Sequence, residues 1–213
     1  VAGSVPAIVE KRVLAGRDDA EESASGSVSL TSSDLELVTD ASVQVVGMRF
    51  TGLAIAQGAQ VTSAYVQFKV DESFSEATTL TIRGQAADSA TVFTSASRNV
   101  SSRTRTAASA TWTPPAWTTI GQAGAGQRTP DLAGVIQEIV GRAGWRSGNA
   151  LALIVTGTGR RTAKAYEGDA AGAPLLHLEL AAPLLANAPA VSQLADGSPD
   201  STPSGMRSAA ELQ

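Results

Sequence analysis

Ala59-Gln60-Val61-Thr62-Ser63-Ala64-Tyr65-Val66-Gln67-Phe68-Lys69-Val70 is the stretch whose side-chain pattern decides the fold. A β-strand sends successive side chains to opposite faces. Here Val61, Ser63, Tyr65, Gln67 and Lys69 share one face, while Thr62, Ala64, Val66, Phe68 and Val70 share another that grows steadily more apolar. The alternation predicts a strand half-buried against a core. Gln57-Gly58 before it reads as a turn, and Val43-Gln44-Val45-Val46-Gly47-Met48-Arg49-Phe50 as a strand ahead of that turn. Residues 43–70 are therefore predicted to form an antiparallel pair.

Working outward, residues 7–14 read as extended, and residues 78–85 as a strand in which Leu80 and Ile82 alternate with Thr79, Thr81 and Arg83. The unbroken apolar run over residues 150–155 predicts a strand buried on both faces. Residues 174–180 give the last strand, with a short one over 162–166 before it. Between these lie irregular residues 89–126, where Trp112-Thr113-Pro114-Pro115-Ala116-Trp117 is unsuited to a central strand. Thr129-Pro130-Asp131 reads as a helix start, and Leu132, Val135, Ile136, Ile139 and Val140 follow at helical spacing. One short helix is predicted, at about residues 130–142. The whole reads as an all-β sandwich of jelly-roll type over residues 8–182, with an N-terminal extension over residues 1–7. Pro183, Pro189, Pro199 and Pro203 punctuate a Ser/Ala-rich extended tail over residues 183–213.

Charged residues make up 17% of the 213-residue chain and the net charge is −4, so the basic field that nucleic-acid binding requires is missing and no nucleic-acid partner is expected. There is no cysteine, which excludes disulfides and thiolate metal sites. No apolar run reaches the roughly 18 residues that span a bilayer, so no membrane span is expected.

The densest charge lies in Arg17-Asp18-Asp19-Ala20-Glu21-Glu22, within what reads as a polar loop over residues 16–25. Four carboxylates this close repel one another, and a bound cation is the simplest relief. Glu167 and Asp169 form a second acidic pair on a loop that a sandwich can bring nearby. Asp18, Asp19, Glu21, Glu22, Glu167 and Asp169 are thus candidate ligands of a calcium ion, with Asp34 or Glu72 able to complete the shell. The alternative is a solvated acidic loop. His177 is the single histidine, and alternation sets it with Glu179 on the face opposite Leu176, Leu178 and Leu180. It has no second histidine or cysteine to work with, and Glu167 and Asp169 are too close in sequence to straddle a glycosidic bond, so no catalysis is expected. Trp117 is a candidate platform for stacking a sugar ring; the alternative is a core plug.

Asp18-Asp19-Ala20-Glu21-Glu22, Ser32-Ser33-Asp34-Leu35-Glu36-Leu37, Val46-Gly47-Met48-Arg49-Phe50, Ile136-Gln137-Glu138-Ile139-Val140 and Ala173-Pro174-Leu175-Leu176-His177 together carry a resemblance. Over residues 8–180 the chain resembles extracellular bacterial β-sandwich modules appended to secreted multi-domain proteins, related in style to jelly-roll carbohydrate-binding domains. The resemblance implies an extracellular or cell-surface location. Two functions are expected from these readings. The first is a non-catalytic secreted subunit that self-assembles with other copies of itself into a fibre or surface layer. Its terminal extension would add a strand to a neighbour's sheet, with Leu184, Leu185, Val191 and Leu194 as anchors. The second is a calcium-stabilised carbohydrate-binding or adhesion module with a polysaccharide partner.

Overall fold

The computed structural model describes residues 7–182. The chain is all-β and sandwich-like. Among the described residues it builds twelve strands and one short α-helix: β1 (Ala7–Arg12), β2 (Asp19–Glu22), β3 (Val28–Ser29), β4 (Asp34–Glu36), β5 (Val45–Phe50), β6 (Val61–Gln67), β7 (Val70–Glu72), β8 (Thr79–Gln85), β9 (Arg105–Trp112), α1 (Ala133–Val140), β10 (Leu151–Thr158), β11 (Thr162–Lys164) and β12 (Leu175–Leu180). They form a three-stranded sheet in the order β1-β12-β6, a six-stranded sheet in the order β3-β2-β5-β10-β8-β9, and a three-stranded sheet in the order β4-β11-β7. Every pairing is antiparallel.

The main core follows from the alternation in each strand. Ala64 and Val66 of β6 and Leu176, Leu178 and Leu180 of β12 turn inward to meet Val46, Met48 and Phe50 of β5, Leu80 and Ile82 of β8, and Leu151, Leu153 and Val155 of β10. The intervening residues of β10, Ala152 and Ile154, enter a second apolar cluster with Ala20, Ala90, Phe93 and Val100. The segment joining β8 to β9 supplies Ala90, Phe93 and Val100, so it covers the back of the six-stranded sheet and buries β10 on both faces. Gly47 of β5 is part of that cover's fit, because a Cβ there would come within 2.5 Å of the Phe93 ring.

Two expectations are corrected here. Residues 43–70 do not form one hairpin: β5 pairs with β2 and β10, whereas β6 pairs with β12. The turn at Gly58, whose φ is +72°, carries the chain from one sheet to another. The helix is also shorter than predicted. Thr129 Oγ1 accepts the Val66 amide and Asp131 Oδ1 the Ala64 amide at the edge of β6, and Asp131 Oδ1 also accepts the Ala133 amide at 3.1 Å, where the helix begins.

Candidate functional site

The acidic segment is not a loop. Asp19–Glu22 is the strand β2, and all of its residues are buried. Its neighbours make a strand possible, because each carboxylate finds a donor on a different element. Asp18, just before β2, accepts a charge-assisted hydrogen bond of 2.5 Å from Arg49 Nη1 of β5. Asp19 Oδ2 accepts the Tyr166 amide at 2.9 Å. Glu21 Oε1 accepts the Glu36 amide of β4 at 2.7 Å. Glu22, on the face shared with Ala20, accepts the Val100 and Ser101 amides at 2.8 Å each, which anchors the segment covering the second cluster. The strand pleat that separates Asp19 and Glu21 from Ala20 and Glu22 also prevents the run from converging on one point.

The six predicted calcium ligands are therefore not gathered. Asp169 sits apart, accepting the Lys69 ammonium at 2.8 Å, and that bond holds its carboxyl below the usual range. Only Glu167 stays near β2, close enough for its charge to be felt at Asp19. Among the described residues no group of three or more His, Asp or Glu is placed to hold a metal ion. Of the two residues considered for completing the shell, Glu72 accepts Arg160 at 3.0 Å and Asp34 accepts the Ser32 hydroxyl at 3.2 Å.

Burial sets the electrostatics of β2. It pushes Asp19 up to about 7, assisted by Glu167. It pushes Glu21 up to about 9, with the adjoining Glu36 carboxyl adding to the rise. Glu21 and Glu36 face a pocket of about 350 Å³ whose wall also carries Ser32, Asp40, Ser42 and Gln44.

Trp117 offers no platform. It is fully buried, tilted against Phe68 and Trp112, and its indole N–H donates to the Gly126 carbonyl at 3.0 Å. A large ring plugs a core otherwise built from small aliphatic side chains. His177 lies on the outer face of its sheet as predicted, with Nδ1 2.8 Å from Glu10 Oε1 of β1 and its ring stacked 4.7 Å from Tyr65. The register sets Glu10, His177 and Tyr65 side by side across the three strands.

The sheet edges differ in a way that no motif announced. On β6, the Val61, Ala64 and Val66 amides donate to Gln137 Oε1, Asp131 Oδ1 and Thr129 Oγ1 at 2.8, 2.9 and 3.0 Å. On β7, Val70 donates to the Gln122 carbonyl at 2.9 Å. The outer amide of Glu36 in β4 goes to Glu21, and on β9 the Ala107 and Ala108 amides go to the Glu138 carboxylate. The last edge of the large sheet, β3, is two residues long. β1 differs from all of these. It is six residues long, pairs only with β12, and no backbone group reaches its outer side among the described residues. Its Ile8 is 62% exposed.

Leu184, Leu185, Val191 and Leu194, the predicted assembly anchors, lie outside the described residues. No protein-family model matches the chain, and no curated protein matches it.

Proposed function

We propose that the chain is a non-catalytic, secreted structural subunit that assembles with further copies of itself by strand addition at the outer edge of β1. The observation that carries this reading is the contrast among edges: every other long edge is met by side chains or a crossing segment, and among the described residues β1 is left open. An open edge offers every second N–H and C=O to an incoming strand. The occupant is residues 183–213 of a second copy, whose leucines and valine at positions 184, 185, 191 and 194 fill pockets while its backbone pairs. β12 ends at Leu180, opposite Ala7 at the start of β1. A neighbour's tail, repeated head to tail, makes an open fibre. The extracellular setting rests on the resemblance described above. The carbohydrate-binding reading is weaker, since the residue proposed to stack a sugar is buried.

Electron microscopy and size-exclusion chromatography of three proteins test the proposal: the full chain, a chain ending at Ala182, and Ile8→Lys. The full chain should form filaments or concentration-dependent oligomers, and both variants should be folded monomers. A full chain that stays monomeric, or filaments that persist in both variants, would refute it.

A further inference from the structure

The outer face of the β4-β11-β7 sheet sets a lysine between two aspartates. Lys164 lies on the central strand β11, directly opposite Asp34 of β4. Residues opposed in this way hold their Cβ atoms about 4.5–5.5 Å apart. From the other side, the Lys164 ammonium is in contact with the Asp71 carboxylate of β7. That contact depends on an irregularity in the pairing. Val70 stands opposite Ala163 and Glu72 opposite Thr162, so Asp71 is an extra residue in β7. A bulge of this kind re-aims a side chain. Val70 still enters the core, while Asp71 and its neighbour Glu72 both meet basic side chains, Lys164 and Arg160.

The setting differs from that of the other lysine–aspartate pair. The Lys69 and Asp169 side chains are 36% and 27% exposed, and the hydrogen bond from Lys69 holds the Asp169 carboxyl below its usual range. The Lys164 and Asp71 side chains are 25% and 17% exposed, and a second acid stands alongside. Among the described residues that acid, Asp34, has no basic partner and accepts only the Ser32 hydroxyl. Burial, followed by the charges of Glu36, Asp71 and Glu72, raises its carboxyl above the ordinary range, although the Ser32 hydroxyl opposes the rise. A proton is thus held more readily beside the Lys164–Asp71 pair than on an exposed aspartate.

We propose that Lys164 and Asp71 condense into an intramolecular amide, with Asp34 carrying the protons. Transfer of one proton within the ion pair turns the ammonium and carboxylate into an amine and a carboxylic acid. The Nζ lone pair then attacks Cγ of Asp71, and an N–C bond forms. Asp34 gives its proton to the departing hydroxyl as the C–O bond breaks, and recovers one from the nitrogen. One water leaves, Asp34 is unchanged, and nothing is oxidised or reduced. Holding amine and acid in contact on two hydrogen-bonded strands supplies the proximity that such a condensation needs. The bond ties β7 to β11 across a long loop and so constrains the unfolded chain as a disulfide would. It does this in a chain without cysteine and needs no oxidant.

Mass spectrometry of the purified full chain under denaturing conditions tests the proposal. The intact mass should lie below that of the sequence by one water, and fragmentation of proteolytic peptides should place the link between residues 71 and 164. Lys164→Arg keeps the charge and should restore the full mass, in a protein that circular dichroism shows to be folded. Asp71→Asn should still couple, losing ammonia in place of water. Asp34→Asn leaves both reacting side chains intact and should slow bond formation roughly a hundredfold, followed by mass after cell-free synthesis. Lys69→Arg should keep the missing water. An unaltered chain at its full sequence mass overturns the bond. So does a missing water that persists in Lys164→Arg or vanishes in Lys69→Arg, and a link that forms at the unaltered rate in Asp34→Asn overturns the proton carrier.

Discussion

Glu22 shows how a residue that reads as solvated in the sequence becomes structural. One oxygen accepts two amides of the segment that covers the second apolar cluster. Glu22→Ala strands both donors, and about 3 kcal/mol of stability should be lost, measured by urea denaturation. Glu22→Gln should lose less, because it keeps an acceptor oxygen. Gly47 tests the same cover from the opposite side. A methyl group there meets the Phe93 ring at 2.5 Å, so Gly47→Ala should cost about 1–3 kcal/mol even though alanine is the better strand residue. Neither role was legible in the sequence. An acidic run carries a strong prior for a loop, and its burial depends on the Arg49 guanidinium and on amides of Glu36, Val100, Ser101 and Tyr166, all far along the chain. The one local clue was Ala20, the small apolar residue that splits the run at the position facing the second cluster.

At the level of elements, strands with a clean period of two were legible. The outward and inward faces of β8 and of β6 from Ser63 onward, and the placement of His177 and Glu179 outside and the leucines of β12 inside, fall as the alternation predicts; at the start of β6 a register shift opposite Leu180 reverses it, burying Val61 and exposing Thr62. So does the burial of β10 on both faces, which the unbroken apolar run at 150–155 forecast. The strand β9 was missed, because Arg105–Trp112 is built largely of Ala, Ser and Thr and lies in a stretch that otherwise reads as irregular. Pairing was also out of reach, as it depends on partners that local pattern does not name. Edge protection belongs to this scale too. Gln137 closes the first turn of β6 twice over, accepting from the Val61 amide and donating to the Ala59 carbonyl. Gln137→Ala should therefore cost about 1–2 kcal/mol and speed hydrogen exchange at Val61, with little change at β10.

For the molecule as a whole, the buried acids of β2 dictate how stability follows pH. Asp19 and Glu21 hold their protons more tightly in the fold than in the unfolded chain, so unfolding releases protons between the two values. Stability should fall as pH rises from 3.8 towards 7 on account of Asp19, and from 4.5 towards 9 on account of Glu21. Asp169 and Glu138, both held below their ordinary values, act in the opposite sense and lose their contribution in acid. The protein should be most stable near pH 4 and weaker at pH 9 by on the order of a few kcal/mol, with the alkaline decline flattened in Glu21→Gln. Thermal melts across that range check this. The β1-β12-β6 sheet has a consequence of another kind. Its central strand is the last of the described strands, and the two strands it joins lie at positions 7–12 and 61–67. During synthesis from the N-terminus, β1 and β6 lack their strand partner until residue 180 has emerged, so this sheet closes late among the described strands. A chain terminated at residue 174 should remain protease-sensitive. Closure of this sheet waits on the residues of β12, in whatever order the other strands pair.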